Sequence, residues 1–486
     1  MVRRAVIWTF SAQFASFFIG FVGSIAVARL LSPREMGIYA VAAATIGLLQ
    51  LVSTFGVGAY VIREVELSQK TLDTAFTINT LLAILLALII AGASYPTAIF
   101  LRESAVASVL QVLALTPLLS IPEFRPATVL QREMKFGALS LIGVMKLAIS
   151  IIVTVASAAM GASYMSPAYG TVASAVFGTI AFVSVAPHHV NFRTSLAQWR
   201  PIAKFGFQIM SVSGVSVAAA RISDLVLGRL LGLTTLGLYS RASNLSNMIF
   251  SNLYGTGTRV VYAQLAKDFR ERGVVRDTFL LGLRMIAGFM GPVLIGIAVL
   301  ARPLIAGLYG EKWLGAAPVL SLLMVAQFIS LTFAMNWELF AVRDKLGLQV
   351  KYEVSRSIFG VMAQTIGCFF GIIGAAASTV VTAFFSIALY VPMMPRLADS
   401  NHRELVKIYL EAFSLTVVAC LPAAVLMYMN DWSAGTSVIQ IVAAVLLGGC
   451  GWFLLLFTRS HPLAMEMRHF TRLIVAKLST KTADSA

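Results

Sequence analysis

The sequence predicts an all-α polytopic membrane protein of about 14 transmembrane helices, arranged as two pseudo-symmetric six-helix lobes followed by two C-terminal helices. Three observations predict it. Of the 486 residues, 58% are hydrophobic and only 12% are charged, and the mean hydropathy is +0.86. Too few polar residues remain to clothe a water-soluble surface. Second, windows of about 20 apolar residues, the length a bilayer core requires, recur along the whole chain. Third, the stretch Arg29-Leu30-Leu31-Ser32-Pro33-Arg34-Glu35-Met36-Gly37-Ile38-Tyr39 returns 200 positions later as Arg229-Leu230-Leu231-Gly232-Leu233-Thr234-Thr235-Leu236-Gly237-Leu238-Tyr239. Each copy joins one long apolar segment to the next, so the two halves repeat in hydropathy as well as in sequence.

In chain order the expected spans run over 5–28, 37–61, 75–100, 106–130, 137–160 and 167–187, which form an N-lobe within residues 1–190. Arg3 and Arg4 before an apolar run resemble a secretion signal, but the run is long and a second span follows at once, so it reads as an uncleaved first helix. The fourth span is interrupted by Pro122 and Pro126. Residues 191–204 form a cytoplasmic linker in which Phe192, Leu196 and Trp199 recur at helical spacing among Arg193, Arg200 and Lys204. That pattern fits an amphipathic helix flat on the inner leaflet, or equally a solvated connector. The C-lobe, 205–395, holds spans at 205–229, 236–260, 279–308, 315–341, 353–373 and 376–394, the last two separated only by Gly371-Ile372-Ile373-Gly374. Two further spans, 408–429 and 435–458, fill the segment 405–460, and 461–486 is a basic tail.

Charge placement gives an independent check, because short loops rich in Lys and Arg stay in the cytoplasm. With the N-terminus inside, the cytoplasmic loops collect Arg63 and Lys70, Arg132 and Lys135, Lys267 to Arg276, Arg343 to Arg356, and Arg396 to Lys407. The tail adds Arg459, Arg468, Arg472, Lys477 and Lys481, and the opposite loops hold few basic residues. Both termini are therefore expected in the cytoplasm. The net charge of +16 is spread through these loops, so topology accounts for it and nucleic acid is not an expected partner. Cys368, Cys420 and Cys450 fall inside spans without metal or disulfide spacing. His188-His189 has no third ligand nearby, and no metal site is expected.

Ionisable residues within spans mark function, since each costs about 2.5–3.5 kcal/mol at mid-bilayer unless paired or wet. Lys146 is about nine residues into the fifth span, about 14 Å deep at 1.5 Å per residue, and its own helix offers no partner. Arg221 and Asp224, three apart, share a helix face. Arg125, Arg259, Arg284 and Glu338 lie near enough to span ends to snorkel. In the eighth span Arg241, Asn244, Asn247, Ser251 and Tyr254 make one polar stripe. A packed polar seam would account for it, as would the wall of a basic, water-filled cleft between the lobes. Basic clefts attract anions.

The residues Ala28-Arg29-Leu30-Leu31-Ser32-Pro33 with Met36 to Tyr39, the element Gln131-Arg132-Glu133-Met134-Lys135-Phe136, and Arg221, Asp224, Gly228 and Gly232 leading to Gly237 and Tyr239 together resemble one family. It is the polysaccharide-transport branch of the multidrug/oligosaccharidyl-lipid/polysaccharide exporter superfamily, of the colanic-acid and succinoglycan exporter type. The resemblance implies a flippase that moves an undecaprenyl-diphosphate-linked oligosaccharide across the bacterial inner membrane by rocking one lobe against the other. Depth in the span and charge, rather than the resemblance, assign diphosphate binding to Arg221 and Lys146, with Arg241 and Arg125 as further candidates, and sugar contacts to Asn244 and Asn247. Asp224 either holds Arg221 or exchanges H+ or Na+. No organic or metal cofactor is expected. Expected partners are the lipid-linked substrate, membrane lipids and polysaccharide polymerase or export machinery.

Two alternatives stay open: a peptidoglycan lipid-precursor flippase, which shares the diphosphate logic, and a cation-coupled multidrug antiporter, for which Glu123 is the best support. An enzyme is not expected, since neither a nucleophile constellation nor a phosphate-binding glycine loop is evident.

Overall fold

A computed structural model describes residues 2–49, 56–64, 67–466 and 468; most of the basic tail, with Arg472, Lys477 and Lys481, lies outside the described residues. Helices α1 (Val2–Leu30), α2 (Pro33–Leu49), α3 (Val57–Arg63), α4 (Gln69–Leu101), α5 (Ala105–Leu113), α6 (Leu115–Leu119), α7 (Phe124–Arg132), α8 (Phe136–Ala159) and α9 (Ser166–Val185) precede the linker. After it come α10 (Trp199–Leu231), α11 (Leu233–Arg272), α12 (Arg276–Val299), α13 (Ala301–Tyr309), α14 (Ala317–Ser330) and α15 (Asn336–Val342). The chain continues with α16 (Leu346–Cys368), α17 (Gly371–Tyr390), α18 (Met394–Ala398), α19 (His402–Met429) and α20 (Val438–Thr458). The described residues contain no strand, so the all-α class holds.

Among the described residues, 9 helical stretches are long and apolar enough to cross a bilayer, or 10 if the bent pair Ala105–Leu119 and Phe124–Arg132 is one span. Helices α10, α11 and α16 fall outside that set. They are long enough, but they carry more charged and amide side chains, and on α10 and α11 these include Arg221, Asp224, Arg241, Asn244 and Asn247. Large apolar side chains stand open on the lipid-spanning helices, among them Leu88, Ile99, Phe384 and Ile439. Water would not tolerate so many, whereas hydrocarbon does.

The chain forms two compact units. The first comprises Met1–Arg241 and Ser357–Ala375, the second Ala242–Arg356 and Ala376–Ala486. In the first, α8 and α9 form a hairpin with α1 against α8, and α10 packs on α2. Ser32, Pro33 and Glu35 start α2 by a capping box: Glu35 N–H donates to Ser32 Oγ (3.3 Å) and Ser32 N–H to Glu35 Oε2 (2.6 Å). In the second, α12 packs on α19 and α14, and α20 on α19. Pro292 within α12 has no N–H for the carbonyl of Gly288. The indole of Trp452 on α20 supplies the missing donor at 3.1 Å, which ties the last helix to α12.

Two details concern the linker and one break between spans. The linker is not helical from 190 to 196, and α10 begins only at Trp199. Asn191 and Ser195 side chains accept from backbone N–H groups two residues on, an alternative to helix. The segment is strapped along α4 instead: Ser195 N–H donates to Thr77 Oγ1 (2.9 Å), and Thr71 Oγ1 to Gln198 Oε1 (2.5 Å). The break between the last two C-lobe spans falls at Phe369 and Phe370, before Gly371 at φ +78, and not over 371–374. Gly374 is inside α17, where a Cβ would overlap the carbonyl oxygen of Gly367 across the hairpin.

Candidate functional site

Lys146 lies eleven residues into α8, and its Nζ donates to both carboxylate oxygens of Glu123 at 3.1 and 3.2 Å. Glu123 stands where the span bends by 54°, between α6 and α7. The two residues are 23 apart, on no common helix face, so only the packing of the broken span against α8 shows the pair. Gly178 on α9 makes room for it, since a Cβ there would sit 2.6 Å from Lys146 Nζ and 2.8 Å from Glu123 Oε2. The pair is not sealed: the side chains retain 28% and 19% of their exposure.

Arg221 and Asp224 meet as their spacing predicts, Nη1 to Oδ2 at 3.4 Å, with 41% and 26% exposure. The guanidinium crosses α2 at Gly47, where an added Cβ would be 2.5 Å from Nε. Arg241, 5% exposed, donates from Nη1 to the hydroxyl (3.0 Å) and carbonyl (3.3 Å) of Ser24 on α1.

Arg125 is of another kind. It is 1% exposed, its Nη2 donates to Asp73 Oδ1 (2.7 Å) and to the carbonyl of Arg193 (2.8 Å), and it lies over the Phe76 ring at 4.7 Å. It does not snorkel: it pins α7, α4 and the linker together. Arg284 likewise is bound by both oxygens of Glu411 on α19, at 2.8 and 3.0 Å, rather than reaching for the interface.

In the second unit Asn244 and Asn247 are both exposed, and Asn247 Nδ2 donates to Ser243 Oγ at 3.3 Å. Farther along the same helix the Tyr254 hydroxyl accepts from the backbone N–H of Met335 at 2.7 Å, so the stripe ends in a packed contact. The second unit also holds a cavity of about 380 Å³ lined by Phe289, Pro292, Gly296, Cys420, Gly449 and Trp452 among others. Its walls suit a hydrocarbon chain better than a sugar. No ion pair or hydrogen bond joins Lys146 to Arg221 among the described residues. No group of three or more His, Cys, Asp or Glu side chains placed to hold a metal occurs there either.

Chemically, Lys146 and Arg221 are cations at mid-helix positions, each held by one carboxylate and each partly accessible. Such a cation can trade its carboxylate for a phosphate oxygen without ever being left bare in low dielectric.

The family model described as polysaccharide biosynthesis protein matches residues 26–318. The lipopolysaccharide biosynthesis protein WzxC of Escherichia coli (strain K12) is 24% identical over 436 residues, 87% of this chain and 86% of that one. The succinoglycan biosynthesis transport protein ExoT of Rhizobium meliloti (strain 1021) is 23% identical over 328 residues, 68% of this chain and 66% of that one. Among solved structures, the lipid II flippase MurJ in an inward closed conformation superposes with a TM-score of 0.73 at 14% identity, covering 94% of this chain and 99% of that one. An inward-facing multidrug resistance MATE family transporter of the MOP superfamily does so with a TM-score of 0.61 at 15% identity, covering 81% and 99%. These two likenesses show the fold.

Proposed function

The chain belongs to the polysaccharide biosynthesis protein family, and from that premise we propose that it is a flippase for oligosaccharide repeat units carried on undecaprenyl diphosphate. In this reading it lies in the bacterial inner membrane with about fourteen spans, six and six and two, and both termini cytoplasmic. The lipid-linked sugar enters from the cytoplasmic leaflet and leaves on the other side as the lobes rock. The observation that carries the proposal is the pair of partly exposed, carboxylate-held cations, Lys146 with Glu123 and Arg221 with Asp224. A diphosphate displaces the carboxylates, and the freed carboxylate of Asp224 or Glu123 takes up H+ or Na+, which provides a route to coupling. Asn244 and Asn247, exposed on α11, offer hydrogen bonds to sugar hydroxyls. The polyprenyl tail stays in the bilayer or against the apolar wall of the second unit.

Deleting the gene and measuring surface polysaccharide together with undecaprenyl-linked intermediates tests the proposal. Loss of a polysaccharide with build-up of its lipid-linked repeat unit in the cytoplasmic leaflet is the expected result. Build-up of the peptidoglycan precursor instead would assign the chain to that substrate. Normal polysaccharide with altered resistance to cationic compounds would replace the proposal by an antiporter. The salt bridge already tying Glu123 to Lys146 weighs against that last outcome, because a neutralised carboxylate holds a cationic drug poorly.

A further inference from the structure

The two copies of the eleven-residue repeat touch each other. A Cβ built on Gly37 would overlap the backbone carbonyl oxygen of Leu233, and one built on Gly237 would overlap that of Pro33. Residues 33 and 233 are equivalent in the repeat, as are 37 and 237. The first turns of α2 and α11 therefore cross about a local two-fold, backbone on backbone, and glycine is needed at both positions because any side chain would occupy the partner's carbonyl. Around the crossing Leu31, Ile38, Leu236 and Tyr239 are buried, which makes it dry. One turn farther along α11, Arg241 reaches back to Ser24.

We propose that the Gly37 and Gly237 crossing is the releasable seal of the transport path at the outer face of the membrane, the face to which charge placement assigns both turns. This rests on the flippase reading above. Close glycine contacts exclude water when shut, yet they consist of weak Cα–H to carbonyl contacts without interdigitated side chains, so parting them breaks no large apolar interlock. The Arg241 and Ser24 hydrogen bonds are of a kind that water replaces on opening. The chain passes into the second unit within α11 directly after Arg241, so a tilt of this helix acts on the crossing through one turn of rigid backbone.

Cys368 supplies a native reporter. It is 2% exposed at the end of α16 and lies within electrostatic reach of Tyr239, two residues from Gly237. In the Cys420→Ala, Cys450→Ala background it is the one remaining thiol of three. We would measure its labelling by a sulfonated, membrane-impermeant maleimide in right-side-out and inside-out vesicles. Gly37→Ala and Gly237→Ala are each expected to raise labelling several-fold in right-side-out vesicles. Ser24→Ala, which inserts no atom and keeps the fold, is expected to raise it less. Unchanged labelling in all three overturns the seal, and a rise confined to inside-out vesicles overturns its assignment to the outer face. Because labelling needs no substrate, these failures are distinct from failure of the flippase reading, which polysaccharide export reports separately.

Discussion

Arg125 and Lys146 both sit among the apolar helices of the first unit, and each meets a carboxylate and an aromatic ring, but they differ sharply in burial. Arg125 is 1% exposed and shares a single 2.7 Å contact with Asp73, a backbone carbonyl and an aromatic face. Lys146 has one carboxylate at a looser 3.1 Å and keeps 28% of its exposure, and Arg221 repeats that pattern with Asp224. Breaking a buried pair strands the other charge in low dielectric, so neither member is released cheaply. A half-wet pair holds its charge in reserve, with a neutralising partner that a stronger anion can replace. The cations of the first unit thus divide into Arg125, sealed in the fold, and Lys146 and Arg221, which keep part of their exposure. Exposure and the number of partners tell them apart, where sequence depth does not.

The largest effect is expected from Arg125→Ala. It leaves the Asp73 carboxylate in a buried seam and loosens the linker, at a cost of about 3–5 kcal/mol. The variant should fail to accumulate in membranes or should melt far below the parent, and a melt like the parent's would erase the distinction drawn above. Lys146→Ala and Arg221→Ala should do the reverse. Insertion and melting stay nearer the parent's than those of Arg125→Ala, since a partly exposed pair contributes less than a sealed one, while export falls about tenfold or more, as complementation of the deletion strain would read. Gly178→Ala sharpens the point without removing any charge. Its methyl group displaces the Lys146 ammonium from Glu123, and export should fall partially at unchanged protein level.

Two smaller effects lie in the second unit. Trp452→Phe removes the donor to the Gly288 carbonyl and should lower stability by about 1 kcal/mol, measured by thermal unfolding in detergent. His461, beyond the end of α20, is buried, and that burial holds its imidazole below the ordinary 6.5; Arg284 adds to the lowering and Glu411 opposes it. The folded protein therefore favours neutral His461. Its contribution is intact above 6.5 and is lost as pH falls through the lowered folded value. Melting temperature should decline on acidification below about pH 6, and His461→Asn should flatten that decline.

Part of this site was legible without coordinates. Arg221 and Asp224 are three residues apart, and the helix alone brings them together. Lys146 could be placed near mid-helix by counting, but its carboxylate could not be named, because Glu123 is 23 residues away on a span that bends beside it. Arg125 looked like an end-of-span residue and is instead a buried pin, because Asp73 and the linker carbonyl reach it from 52 and 68 residues away. The linker's apolar spacing left a helix and a plain connector equally open, and its Asn191 and Ser195 side chains favour turns over 190–196.

What the sequence by itself determined is whatever is written within one helix length: the all-α class, the apolar segments that suit a bilayer and the i to i+3 ion pair. The repeat too was visible as text, since equal strings need no structure to be seen. Only the tertiary structure decided which helices meet. It revealed that the repeated glycines let two copies of one motif cross at backbone distance, and it separated the sealed Arg125 from the partly exposed Lys146 and Arg221. Hydropathy and helical period act between neighbours in the chain, whereas desolvation and ion pairing depend on atoms that folding alone brings within a few ångströms.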